Sequence, residues 1–358
     1  MKKRYLIIIT VLILLSVNVV SAYDFSNETI SHDNSNDVLG DSSASFTTLS
    51  GEIASTPSEG VLELNKSYVY NASVDTVISK NLGIVMGKSI TIDGKGHTID
   101  GCNLSKIFTI NRVSDVTLKN IVFKNAFNTG KGGAISVGDN SDNFKIDNCS
   151  FINCSTTFDT YGSSSGGALE IRQSNNVWVT NCNFTDCKST GIGGTIRLDG
   201  SNNVVENSLI ENSRGSYGGA IYISGQNSAV NNTKIINASA TNYGGAILLS
   251  DQYSGVYNTT ISDSSAAYGG AIFMGSTLGR GGHNGKIYNS TIDNCHATSN
   301  GGAVYLNGNY QDIVNSTFTN NVADGYGGAI YSNSTENYIN NSYMDGNNAT
   351  YGSAIFRL

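Results

Sequence analysis

Asp93, His97 and Asp100 are the residues of this chain whose types and spacing most resemble chemical machinery. Two carboxylates beside an imidazole could move protons or hold Ca²⁺. The competing reading is local: Asp93-Gly94 and Gly96-His97-Thr98 are turn sequences between strands. Cleavage of a polysaccharide needs more, namely clustered carboxylates with an Arg or His beside them. The chain has no paired-Asp, Gly-His-Gly and Arg-x-Lys set. Arg172 and Arg197 occupy equivalent outward positions with Glu170 near one of them, a weak signal by itself. The expectation is therefore no catalysis, no cofactor and no metal.

Six cysteines are the next candidates. Zinc is not expected, because no Cys-x-x-Cys pair exists. Cys149 with Cys182, and Cys154 with Cys187, recur at equivalent places in a repeat. Stacking would bring each pair within disulfide range. Buried thiols filling places taken elsewhere by Ala, Ser or Thr is the other reading.

Aromatic residues form a third set. The residue two after each repeat Ala reads Ser136, Glu170, Arg197, then Tyr222, Leu248, Phe273, Tyr305, Tyr331 and Phe356. Strand alternation puts this column outside, as an exposed strip of six bulky residues about 24 Å long. Tyr217, Tyr243, Tyr268, Tyr326 and Tyr351 add a second file. Exposed apolar strips mark interaction surfaces, where Tyr is favoured; stacking that only stabilises the sheet is the alternative. Tyr222, Phe273, Tyr305, Tyr331 and Phe356 are the candidate binding residues. Two insertions, Thr156–Ser165 and Gly275–Lys286 (the latter with Arg280 and His283), could be binding loops or tolerated surface additions.

These residues are positioned by a repeat. Gly132-Gly133-Ala134-Ile135 returns at Gly166, Gly193, Gly218, Gly244, Gly269, Gly301 and Gly327, and in degraded form at Gly352. The steps are 34, 27, 25, 26, 25, 32, 26 and 25 residues. A second motif, Asn148-Cys149-Ser150-Phe151, recurs with its Asn at 120, 181, 207, 232, 258, 289, 315 and 341. After each Gly-Gly-Ala the chain alternates, as in Ile221-Tyr222-Ile223, which predicts a strand with one buried face. The stretch before each Asn alternates too, and the Phe or Ile three residues after the Asn anchors a third short strand. Three strands and three turns in about 25 residues make one coil of a solenoid. Helical repeats would need a 3.6-residue period, and propeller blades about 40 residues.

The fold class predicted is all-β: a right-handed parallel β-helix of about eleven coils. Phe123, Phe151, Phe184, Ile210, Ile235, Ile261, Ile292, Phe318 and Met344 should form one inward column. The motif Asn residues should form a ladder of stacked amides. The chain has 15 Asn-x-Ser/Thr sequons, and those at Asn148, Asn258, Asn289 and Asn315 should be inaccessible if that ladder is buried.

Residues 1–22 read as a secretory signal peptide: Lys2, Lys3 and Arg4, an apolar run, then Val20-Ser21-Ala22. The apolar run is shorter than a membrane span. Residues 23–44 read as a flexible polar segment, and residues 45–358 as the β-helix domain. Ser45 is the expected N-cap of a short amphipathic helix from Phe46 to Ile53 that caps the solenoid. Removing residues 1–22 leaves 18 basic against 28 acidic residues. That balance argues against nucleic acid or an anionic membrane as partner. No cap is visible after Phe356-Arg357-Leu358, so self-association through the last coil is a further expectation.

Leu64-Asn65-Lys66-Ser67-Tyr68, the run Ile90-Thr91-Ile92-Asp93-Gly94-Lys95-Gly96-His97-Thr98-Ile99-Asp100-Gly101, and the Asn-x-x-Phe and Gly-Gly-Ala-Ile series carry a family resemblance over about residues 45–358. The chain resembles the adhesin-like surface proteins of methanogenic archaea. Its repeats, for example Phe318-Thr319-Asn320-Asn321, are also similar to those of chlamydial polymorphic outer-membrane proteins. The resemblance implies a right-handed parallel β-helix at the cell surface that binds other cells or surface glycans, and an anaerobic setting that favours free thiols. Longer members carry Ig-like repeats or an anchor, and the chlamydial proteins a barrel; this sequence has none of these. The alternatives are a pectate-lyase-like, polysaccharide-active enzyme on the same fold and a structural subunit of a surface layer.

Overall fold

The computed structural model describes residues 43–276 and 284–358. The expected signal peptide, nearly all of the polar segment, and Arg280 and His283 lie outside the described residues. Every coil is built from very short strands, mostly three or four residues, paired in parallel with the coils before and after. Strands this short follow from the sequence, because an Asn, Asp or Gly with positive φ interrupts the alternation every few residues.

Three sheets run the length of the solenoid, and one more joins them from Phe127 onward. In chain order within one coil they are the first (Lys145–Asp147), second (Ser150–Ile152), third (Ser155–Thr157) and fourth (Leu169–Arg172). They contain 11, 12, 9 and 11 strands, about twelve turns in all. The expectation of three strands per coil is corrected here. The third sheet is the one missed, because its strands, such as Ser155–Thr157 and Ser239–Tyr243, are polar and carry little alternation. The coil count also rises by a part-turn, since Ala44–Ser45 pairs with Tyr68–Val69 as an extra strand. Ala44 thus belongs to the solenoid and not to the polar segment.

The helix spans Phe46–Ser55, with Ser45 as its N-cap accepting from the Thr48 amide. Phe46, Leu49 and Ile53 are buried against the first coils, as their spacing predicts. Asp75 holds the helix entry by accepting from the Thr47 amide at 2.7 Å. The N-terminal end of the stack is therefore covered.

The inward column forms as expected. Phe123, Phe151 and Phe184 stack with centroids 4.7 Å apart, and Ile210, Ile235, Ile261, Ile292 and Phe318 continue the line, all buried. Met344, in the last coil, is half-buried. Beside this column runs a buried ladder of hydroxyls. The amides of Thr259, Ser290 and Ser316 donate to the side chains of Ser290, Ser316 and Ser342 on the next coil, each at 3.2 Å. Cys149 and Cys182 occupy the same position, and all six cysteines are free thiols.

The Asn ladder exists but faces outward. Asn120 to Asn341 all have φ between 44° and 55°, the left-handed turn conformation that Asn tolerates best after Gly. Asn148 donates to Asn120 Oδ1 at 2.8 Å and Asn232 to Asn207 at 2.6 Å. Where an Asp stands nearby it takes over, as Asp147 does for Asn181 at 2.7 Å. Asn148, Asn258, Asn289 and Asn315 are exposed, so ladder burial does not hide their sequons. A second file lies five residues on, where Asn153 donates to Asn125 and Asn237 to Asn212.

Candidate functional site

The outer face of the fourth sheet carries the candidate residues in one unbroken register. Thr109, Ser136, Glu170, Arg197, Tyr222, Leu248, Phe273, Tyr305, Tyr331 and Phe356 pair directly from coil to coil. The face is divided by chemistry: polar and charged up to Arg197, aromatic and aliphatic from Tyr222 onward.

In the aromatic part, Phe273 stacks on Tyr305 with centroids 5.1 Å apart, and Tyr305 packs on Tyr331 at 4.6 Å. The tyrosines that end the third-sheet strands make the second file, with Tyr217, Tyr243 and Tyr268 stacked at 5.7 and 5.3 Å. The two files interlock across the Gly-Gly corner. Tyr243 reaches Phe273 at 4.7 Å, and Tyr326 reaches Phe356 at 4.6 Å. This corrects the expectation of an exposed strip. Phe273 is 1% exposed and Tyr331 6%, whereas Tyr222, Tyr305 and Phe356 are half-buried. Cover comes from the neighbouring tyrosine file on the third sheet, whose angle to the fourth the strand pattern does not reveal. Burial raises the Tyr305 hydroxyl pKa above its usual value. What remains open is a groove lined by Tyr243, Tyr268, Phe273, Tyr305 and Asn307. Asn300 stands opposite Tyr268 and interrupts the tyrosine file, which resumes with the more exposed rings of Tyr326 and Tyr351, at 38% and 57%.

In the polar part Glu170 is wholly buried. Its carboxylate accepts from Ser165 Oγ at 2.9 Å and lies 3.5 Å from Arg197 Nη1, which also pairs with Asp199. Burial raises the Glu170 pKa, opposed by Arg197, Ser165, Lys131 and Lys106. Lys106, 4% exposed, is lowered to about 8 by burial. An open cavity beside Glu170 is lined by Thr109, Asn111, Lys131, Ser136, Asp139 and Arg172, among others. Sequence reasoning placed Glu170 and Arg197 in this column, but Arg172, expected to be equivalent to Arg197, stands opposite Asp199, and Lys106 and Lys131 join the group from the two preceding coils.

The Asp93, His97 and Asp100 set is not brought together as a site. Asp93 is buried but accepts from Asn120 at 2.8 Å and from the Lys95 amide, and pairs with Lys95 and Lys119. These donors outweigh the cost of burial and hold its carboxyl far below the usual range. Asp100 accepts from the Cys102 amide and from Asn125. Both carboxylates organise turns. The insertion Thr156–Ser165 starts in a third-sheet strand with Thr156 buried, carries Phe158 and Tyr161 at the surface of the loop that follows, and ends at the buried Ser164 and the Ser165 that holds Glu170. On the first sheet, Trp178 and Tyr257 flank a shallow depression, a second aromatic surface not foreseen from the repeat.

Four parallel sheets wound in one sense, with an aromatic and a charged segment on one outer face, define a right-handed β-solenoid. The chain belongs to the right-handed beta helix family, whose model matches residues 89–278. The repeat of the Chlamydia polymorphic membrane proteins matches residues 315–333, which include Asn315, Phe318 and Gly327-Gly328. No curated protein sequence matches the chain. Similar solved structures include an alginate lyase from Paenibacillus sp. str. FPU-7, with 12% identity over 87% of this chain and 97% of that one, TM-score 0.40. PfbA, a surface adhesin of Streptococcus pneumoniae, has 16% identity over 82% and 79%, TM-score 0.45. An endo-xylogalacturonan hydrolase from Aspergillus tubingensis has 9% identity over 87% and 91%, TM-score 0.38. Among the described residues no helix is long and apolar enough to cross a membrane.

Proposed function

We propose that this protein is a cell-surface, adhesin-like scaffold that binds glycans along the aromatic groove of its fourth sheet and does not cleave them. The observation that carries this reading is the interlocked pair of aromatic files, Tyr243 and Tyr268 against Phe273 and Tyr305. Rings held at coil spacing are pre-organised, so little side-chain entropy is lost on binding. Flat ring faces with hydroxyl edges suit the apolar faces and hydroxyl rims of sugars. Coils rise by about 4.8 Å, close to the length of one sugar unit, so a linear saccharide can meet successive coils with the same contacts.

A binding role rather than a catalytic one is supported by Asp93 and Asp100, whose oxygens are engaged by turn donors. The Chlamydia polymorphic membrane protein repeat at residues 315–333 supports a surface location.

The test is binding of the full chain to a glycan array and to intact cells, with Tyr268→Ala alongside. Tyr268 lines the groove and is half-buried, so its loss should leave the coil folded. Loss of binding in the variant supports the groove. Unchanged binding moves the site elsewhere, and binding by neither protein rejects the glycan reading.

A further inference from the structure

We propose that the cavity beside Glu170 is a second binding site on this face, taking the carboxylate of an acidic sugar unit; this rests on the glycan reading above. Lys131 and Arg172 line the cavity with Thr109, Asn111 and Ser136. Among the described residues the side chain of neither cation makes a hydrogen bond or ion pair. Lys106 is nearly fully buried, its ammonium has no ion pair among the described residues, and it is close enough to Glu170 and Lys131 for their charges to act on it.

A charge this deeply buried normally has a counter-ion. Glu170 is the nearest anion, but its oxygens are taken by Ser165, Ser136 and Arg197. Asp139 on the cavity wall and Asp199, which pairs with Arg197 and lies opposite Arg172, bring the anions to three, against the four cations Lys106, Lys131, Arg172 and Arg197. Arg197 Nε is in addition a buried donor with no acceptor among the described residues. The cavity therefore has positive charge to spare, in a chain whose formal net charge is −7. Arg172 offers the planar fork that matches a carboxylate, and Lys131 a mobile point charge.

The site is positioned to act with the aromatic groove. Glu170, Arg197, Tyr222, Leu248 and Phe273 stand in direct register, so Phe273 lies four coils from Glu170. That is about 19 Å at the strand spacing, the span of roughly four sugar units. An acidic saccharide laid along the face would place one carboxylate in the cavity while other units stack on the rings. A neutral one would use the rings alone.

The experiment is calorimetric titration of the full chain with a galacturonate tetrasaccharide and with its neutral galactose counterpart. Wild type, Lys131→Met/Arg172→Met and Tyr268→Ala are compared, with melting curves to confirm that each variant is folded. The expected result is at least tenfold tighter binding of the acidic saccharide by the wild type. The double variant should lose that preference and keep its affinity for the neutral saccharide. Equal affinity of the wild type for both, or an acidic preference that survives the double variant, overturns the anionic site and leaves the groove standing. Binding of neither saccharide overturns both readings. The Lys131 and Arg172 side chains make no hydrogen bond or ion pair among the described residues; a merely structural role for them would move the melting temperature and not the preference.

Discussion

The amide of Gly219 donates to the carbonyl of Gly244 one coil on, at 3.0 Å, and this turn-to-turn hydrogen bond leaves no room for a side chain. A Cβ at position 219 would overlap the Gly245 carbonyl oxygen. Gly218, beside it, has φ of 61°. The pair thus satisfies two needs of one tight corner, a left-handed residue and a backbone-to-backbone approach.

Gly219→Ala should therefore be strongly destabilising, by more than about 3 kcal/mol, because backbone must move at two coils. Gly51→Ala is the control. Position 51 lies in the helix with nothing within 4 Å of an added Cβ, so the change should stabilise by roughly 0.5–1 kcal/mol. Urea unfolding of the two variants measures both. Similar effects at both positions would contradict the close approach at the corner.

The exposed Asn ladder makes a graded prediction. Asn232 has φ of 44° and donates to Asn207 at 2.6 Å. Asn232→Gly keeps the turn and loses the amide bond, at a cost of about 0.5–1.5 kcal/mol. Asn232→Ala also meets left-handed strain and should cost about 1–2 kcal/mol more. Equal losses in the two variants would show that the ladder bond, and not the turn, dominates.

Lys106 should make stability depend on pH. Burial lowers its pKa from 10.5 to about 8, so the unfolded chain binds this proton more tightly. The gap, at about 1.36 kcal/mol per pH unit, costs the folded state roughly 3 kcal/mol near pH 7. That cost falls as pH rises from about 8 to 10.5, where the unfolded chain also loses the proton. Glu170 and Lys131 are the charged groups acting on it. Lys106→Met should be more stable than wild type at pH 7, by up to that amount, and the advantage should shrink by pH 10. A pH-independent difference between the two melting curves would contradict the assignment.

Thiol reactivity distinguishes the two readings of the cysteines. Cys149, Cys154, Cys182, Cys187 and Cys295 are buried, whereas Cys102 is half-buried. Burial raises the Cys149 and Cys187 pKa values and pushes Cys295 up to about 12. The folded protein should show one slowly alkylated thiol, at Cys102, and six in denaturant. Two reactive thiols in denaturant would mean that the Cys149–Cys182 and Cys154–Cys187 neighbours are oxidised to disulfides.

Much of the fold was legible because a solenoid maps one-dimensional periodicity directly onto space. The Asn-to-Phe spacing identified the inward column from Phe123 to Met344, and Ser45 with Phe46, Leu49 and Ile53 identified the cap. The third sheet was not legible. Strands such as Ser155–Thr157 and Arg214–Tyr217 have no apolar alternation: the buried side chain of the first is the polar Thr156, and the second pairs onward with a shift of register. The outward aromatic column was read correctly as a register and wrongly as an exposed strip.

What the sequence determined by itself is the repeat, and with it the coil, the stacking register and the identity of each column, since residues at equal places in equal repeats must lie one above another. The tertiary structure alone decided what covers those columns. The angle at the Gly-Gly corner folds Tyr243 over Phe273 and leaves a groove in place of an open strip. Irregular early coils, where the repeat is degraded or interrupted, bring Lys106, Lys131 and Glu170 to one place. Periodicity specifies neighbours along a column; the winding of the sheets around the axis specifies neighbours between columns.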